Sequence, residues 1–366
     1  MNTQRDHGTL IIPSQLRHGR EVVQATLEEV GRELSVRAGD VESWEQGVSA
    51  PTLNQLEALA GLYGRDIDYF LGETPPPPES IEFRAGPGES FSGLSRQTRS
   101  IAGRFDELCR RAVELEALVG KRRECQISRL DRSLAPGKAA TRLRQDLGVG
   151  DRPMANLKDL LDAKGFRIFE LPVPNDELSG LSLWHSDYGP CILLNARDLK
   201  PRRNFTLAHE LAHLLYSHGA LACRIPPKLE EQAVGTERKA DHFAVELLLP
   251  ESTLRADFTK RGYSSTPSAE ELRPMRSKWG VSLQALGYRL ETLGLIARGH
   301  TDALVEPKPT YFRRPKTPKW ERRLGKPFIE TAFEAYQKNL VSIGKLAHSL
   351  GIPIRKAMEE VERRSK

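Results

Sequence analysis

The chain has 366 residues, 28% of them charged and 39% hydrophobic, with a formal net charge of +6, which leaves room for two or three domains with full cores. The opening MNTQRDHGTL carries no apolar run, and no stretch approaches the ~18 uninterrupted apolar residues of a membrane span, so a cytoplasmic protein with no membrane partner is expected. Four scattered cysteines (Cys109, Cys125, Cys191, Cys223) form no Cys-x-x-Cys pair and read as reduced thiols, neither a disulfide framework nor a thiolate metal site.

Charge is distributed unevenly. Residues 1–73 hold six Arg, no Lys and twelve Asp/Glu, a net of −6, whereas residues 307–366 hold fifteen Lys/Arg against six Glu, a net of +9. Residues 1–73 read as short helices. Thr26 with Glu29 forms a capping box opening LEEVGREL; AGDVESWEQG is a second helix closed at Gly47; and PTLNQLEALAGLYG is a third, with Leu53, Leu56, Leu59 and Ala60 on one face. TPPPPES at 74–80 is a stiff spacer within a linker spanning 74–94. The 95–120 segment repeats Ile101, Phe105, Leu108, Ala112, Leu115 and Val119 at helical spacing. It suits a helix packed on its own domain, or a short homodimer seam.

Two short helices are expected at 138–148 and 153–164. The period then changes to that of strands at 166–171, 179–186 and 190–196, the last two joined as a hairpin. After them comes TLAHELAHLLYSH, residues 206–218. Helical geometry stacks His209 one turn below His213, so both imidazoles reach one point, and Glu210 lies about 100° around from His209, placed to take a proton from water there. Zinc bound by two imidazoles needs another protein ligand. TERKADHFAVELLLP, residues 236–250, offers Glu237 on the same stripe as Ala240, Phe243, Ala244, Leu247 and Leu248, with Asp241 one turn on to accept the spare N–H of a ligating histidine. A carboxylate on a buried stripe requires a cation or strong donors. The expected cofactor is therefore one Zn²⁺ per chain on His209, His213 and Glu237, with Glu210 as general base; Mn²⁺ also suits this donor set.

RRNFTLAHELAHLLYSH followed by ERKADHFAVELLLP resembles the ImmA/IrrE-type metallopeptidases, and the hairpin resembles that family's Gly-x-Ser … Ile-Leu-x-Asn segment. TLEEVGRELSV…VESWEQGVSAPTLNQLEALAGLYGRDIDYFLG resembles an Xre/Cro-type helix-turn-helix domain, carried by Trp44-Glu45-x-Gly47, Pro51 and Leu56. The resemblance implies an all-α helix-turn-helix domain at 1–73 and an α+β zincin-like metallopeptidase domain at 95–302, its core about 153–250 with a small three-stranded sheet. A basic helical region follows at 303–366. It also implies a zinc endopeptidase that relieves repression by cleaving a partner protein, a helix-turn-helix repressor or antitoxin-like protein.

Gly180, Ser182 and His185 are candidate substrate contacts along the strand edge formed by 180–185. His185, Arg203, Tyr216, His218 and His242 are the candidates for stabilising the oxyanion. Arg32, Arg37 and Ser43 are the candidate contacts to DNA or to a docked protein. The acidic first domain is repelled by phosphates, and its second helix offers few base-reading side chains, so protein docking competes with DNA binding there; the basic C-terminal tail is the better electrostatic match to nucleic acid. The alternative function is a DNA-binding regulator whose metallopeptidase domain senses a ligand or serves as a scaffold. An antitoxin-like docking module is a further one.

Overall fold

The computed structural model describes residues 11–71, 84–85, 91–154, 156–174, 177–217, 221–223, 235–305 and 319–365. The polyproline spacer at 74–80, most of the Pro-rich basic stretch at 306–320 and His218 lie outside the described residues. By internal contacts the chain divides into two units, residues 1–111 with 173–178, and residues 112–172 with 179–366.

Among the described residues, the first unit contains five short α-helices: α1 (Pro13–Val22), α2 (Leu27–Leu34), α3 (Ala38–Glu45), α4 (Leu53–Tyr63) and α5 (Ile67–Leu71). Their starts follow from capping chemistry. Thr26 accepts from the Glu29 backbone N–H while the Glu29 carboxylate accepts from the Thr26 backbone N–H, and Thr52 with Gln55 repeats the arrangement at α4. Each such cap is worth about 1 kcal/mol. The helices close on Leu16, Val30, Val41, Trp44, Leu56, Leu59, Tyr63 and Phe70.

The long helix α6 (Arg96–Leu118) begins in this unit and is tied to α4 and α5 by charge as well as by apolar contact. Arg65, fully buried, pairs with Asp106 and lies 3.5 Å from Glu107, and Arg111 reaches Asp66 at 2.9 Å and Glu107 at 3.0 Å. Phe105, Leu108, Ala112, Leu115 and Val119, the helical stripe read from the sequence, are buried within the chain.

The second unit is mostly helical around a small mixed sheet. Strand β1 (Arg167–Leu171) runs parallel to β3 (Gly189–Asn195), and β3 pairs antiparallel with β2 (Gly180–His185). A short β4 (Leu221–Cys223) pairs antiparallel with Gly180–Ser182 on the other side of β2. The expected three strands are present, but β2 is not a free edge along its first half: β4 covers it there. A substrate strand pairing with residues 180–182 would have to displace β4, which corrects the expectation of an open 180–185 edge.

Helices α7 (Pro136–Asp146) and α8 (Leu157–Ala163) precede the sheet; α9 (Lys200–Leu215) follows it and lies across β2 and β3. Helix α10 (Thr236–Leu248) packs on both α9 and α7. Leu207, Leu211, Ala240, Phe243, Ala244, Leu247, Met154 and Trp279 fill this core. Further helices extend it: α11 (Glu251–Arg261), α12 (Ala269–Trp279), α13 (Leu283–Thr292) and α14 (His300–Val305).

The basic C-terminal region is docked on the same unit. It comprises α15 (Trp320–Leu324), α16 (Lys326–Gln337), α17 (Ile343–Leu350) and α18 (Ile354–Ser365). α15 packs on β1 and α16 on α8, with Phe328 meeting Phe169 edge-to-face at 5.6 Å. Ser342 caps α17 by accepting from the Lys345 backbone N–H, as its sequence position predicts. No helix among the described residues is long and apolar enough to cross a membrane.

Candidate metal centre

Helix α9 is apolar around most of its circumference because it is enclosed by the sheet, α8 and α10, and its polar residues therefore stand out. His209, Glu210 and His213 are 2%, 0% and 0% exposed. Pro201 sits in the first turn of α9, where a missing N–H costs nothing. Glu237 stands in the first turn of α10, which brings it against the middle of α9.

Three donor atoms converge. His209 Nε2 is 2.9 Å from His213 Nε2 and 3.1 Å from Glu237 Oε2, and His213 Nε2 is 3.4 Å from Glu237 Oε1. A tetrahedral zinc ion with bonds of about 2.0–2.1 Å spaces its ligand atoms about 3.3 Å apart, and the two imidazole nitrogens and the Glu237 carboxylate, each nitrogen meeting a different carboxylate oxygen, approach one another at about that spacing. Among the described residues, His209, His213 and Glu237 form a group able to hold a metal ion.

The second layer supports the same reading. His209 Nδ1 donates to Asp241 Oδ1 at 2.8 Å, which commits that nitrogen to its proton and leaves Nε2 as the ligand atom. Without a cation the centre draws a proton instead. Burial alone would lower the His209 pKa, but hydrogen bonds to Asp241 and Glu237 and the charge of Glu210 outweigh it and push it up to about 10. Burial likewise raises Glu237, yet its bonds to His209 and His213 hold its carboxyl well below the usual range. The surroundings therefore call for positive charge at this point, and a divalent cation satisfies them while leaving both imidazoles neutral. The residues fit the metal.

Residues 161–291 match the family model of the IrrE N-terminal-like domain, Peptidase_M78. The matched segment is about a third of the chain and contains the sheet, α9 and α10. This M78 match supports a metallopeptidase of the ImmA/IrrE kind, and the mostly helical unit with its small mixed sheet is consistent with a zincin-like domain. No curated protein matches the chain.

Around the candidate metal centre the other candidates separate. Side chains alternate along β2, so Gly180, Ser182 and Trp184 face α9 while Leu181, Leu183 and His185 face the opposite side. Gly180 lies directly against Glu210: a Cβ built on it would stand 2.6 Å from Thr206 Cγ2 and 2.7 Å from Glu210 Oε1. Ser182, fully buried, shares that face. His185 does not; its ring stacks on Tyr188 at 4.1 Å and its Nδ1 accepts the Asp187 N–H, so it is turned away from Glu210, against the expectation of a substrate contact.

Of the remaining oxyanion candidates, Arg203 and Tyr216 are engaged elsewhere. Arg203 donates to the Asp198 and Ala196 carbonyls, and its Nε lies 3.4 Å from Glu170. Tyr216 donates its hydroxyl to the Leu134 carbonyl at 3.0 Å. His242 is exposed and lies about 140° around α10 from Glu237. Arg32, Arg37 and Ser43 belong to the first unit: Arg32 is exposed, Arg37 is tied to Asp40 at 2.8 Å, and the Ser43 hydroxyl donates to the Gly39 carbonyl.

Thr206 was not among the residues singled out from sequence. Its signal was present, since it stands one turn before Glu210 on the same helical face.

Proposed function

We propose that the chain is a zinc-dependent endopeptidase that regulates transcription by cleaving a cognate repressor or antitoxin-like protein. The observation that carries the reading is the convergence of buried His209 and His213 with the half-buried Glu237 carboxylate, at 2.9–3.4 Å, with Glu210 beside His209 on the same helix. His209, His213 and Glu237 would hold the ion, and Asp241 fixes the His209 ring. When bound, zinc supplies Lewis-acid polarisation of the scissile carbonyl and acidifies the attacking water.

Glu210 accepts the proton of that water and passes it to the departing amine nitrogen. Its burial excludes bulk solvent as a competing proton acceptor. Gly180 and Thr206, packed close to each other and to Glu210 at this point, carry no charge.

The domain arrangement belongs to the same proposal: an Xre/Cro-type helix-turn-helix at 1–73, a linker at 74–94, the metallopeptidase at 95–302 and a basic helical region at 303–366. The first domain suits protein docking better than DNA. Its α3 presents exposed Glu42, its Arg37 is neutralised by Asp40, and Val48, just after α3, and Leu53, at the start of α4, are 76% and 64% exposed. Duplex DNA contact falls to the basic C-terminal helices.

The test is Glu210→Gln in the full chain. Loss of repressor cleavage with zinc content preserved supports the proposal. Regulation that survives the substitution unaltered would instead establish a DNA-binding regulator using the domain as sensor or scaffold.

A further inference from the structure

We infer that Gly180 is a positioning residue for Glu210: the missing side chain at this one strand position is what allows the carboxylate to lie against the sheet. The catalytic consequence rests on the metallopeptidase reading above; the steric coupling does not.

Gly180 is not a glycine for backbone reasons. Its φ lies outside the left-handed region that fourteen other glycines occupy among the described residues, so any L-residue would fit its backbone. Space is the reason that remains. A methyl group at Gly180 would stand 2.6 Å from Thr206 Cγ2, 2.7 Å from Glu210 Oε1 and 2.9 Å from Glu210 Cγ. Real Cβ contacts of that length do not persist, so something must move.

Neither element has freedom to withdraw. Strand β2 is held by β3 on one side and, at Gly180 itself, by β4 on the other. Helix α9 is locked by Leu207, Ala208, Leu211 and Ala212, none more than 1% exposed. Thr206 and Glu210 have no solvent to rotate into. Relief therefore falls on the two side chains in the clash, Thr206 and Glu210, and Glu210's share displaces its carboxylate by roughly half an ångström or more; shifts approaching 1 Å at a reacting group cost as much as ~100-fold in rate. Metal binding is spared, because His209, His213 and Glu237 approach the ion from the side of α9 that faces α10.

The experiment places Gly180→Ala in the full-length zinc-loaded chain on three backgrounds: parent, Thr206→Ser, and Thr206→Ser with Glu210→Ala. Melting temperature, zinc content and, where cleavage is measurable, kcat and KM are read for each. The expected result is a large drop in Tm on the parent, a smaller one on Thr206→Ser, and none on the double background. There an extended-strand Gly→Ala is free of its clash and gains from a more restricted unfolded chain. Zinc stays at one per chain, and kcat falls ~10–100-fold on the Thr206→Ser background with KM nearly unchanged.

Equal costs in Tm with and without the Glu210 carboxylate would overturn the inference, as would loss of zinc from the Gly180→Ala, Thr206→Ser chain. If Gly180→Ala fails to fold on the parent, recovery of a cooperative melt on the double background supports the inference, and failure on all three overturns it. A parent that shows the Tm coupling but cleaves nothing would refute the proposed function and leave the Gly180–Glu210 coupling standing.

Discussion

Asp241 Oδ1 accepts the Nδ1 proton of His209 at 2.8 Å, and the two residues meet because α10 crosses α9 with Glu237 and Asp241 one turn apart on the facing side. The bond fixes which nitrogen of His209 is left for the ion. Asp241→Ala is expected to weaken zinc affinity ~10–100-fold, and Asp241→Asn less, since the amide oxygen still accepts the proton. Competition with a chromogenic chelator measures both. An unchanged affinity in Asp241→Ala would mean the His209 ring needs no outside support.

Metal content follows from the donor triangle. Mass spectrometry of the purified chain is expected to find about one zinc per chain, lost in His213→Ala and in Glu237→Ala. Zinc retained by either variant would remove that residue from the ligand set; no zinc in the parent even after loading would remove the site.

Asp162 predicts a pH dependence away from the metal. It is buried beside Gly325, at the start of α16, and burial pushes its carboxyl up to about 7; Lys158 and Arg123 oppose the rise, while Asp159 and Glu170 add to it. Its folded value lies above its unfolded one of 3.8, so the folded chain holds this proton more tightly. The sign follows: the group costs nothing below the unfolded value and destabilises increasingly as pH rises toward about 7, by on the order of a few kcal/mol once ionised. Asp162→Asn should therefore melt above the parent at pH 8, the difference shrinking steadily as pH falls to 4. A difference independent of pH would show that Asp162 does not titrate in this range.

The ion cluster of the first unit is expected to be costly to break. Arg65→Ala leaves Asp106 buried without its partner, and about 3–5 kcal/mol of stability should be lost. Thermal unfolding of the full chain would show the effect as an earlier transition, which Asp106→Asn should produce in milder form. A melt indistinguishable from the parent would mean water reaches the cluster.

Much of this site is legible in the sequence alone. His209, Glu210 and His213 share one helix, so their spacing fixes their relative directions through helical geometry alone. Glu237 and Asp241 declared themselves as carboxylates on an otherwise apolar stripe. Even the misplacement of His185 was readable in principle, since Gly180, Ser182 and His185 cannot share a face of one strand when side chains alternate. That is local physics, settled within a single element.

Contacts between elements were not legible. Nothing in the residues near Gly180 announces that α9 will lay Thr206 and Glu210 across it, or that Leu221–Cys223 will return to cover the edge of β2. The burial of Asp162 beside Gly325 and the packing of Phe328 on Phe169 likewise join segments more than 150 residues apart. Periodicity encodes which face of an element is apolar, but not which other apolar face will meet it. The chain's own sequence determined the donor chemistry of the candidate metal centre; the packing of β2 beneath α9 decided where Glu210 can stand, because close-packed interiors leave no slack for a single methyl group.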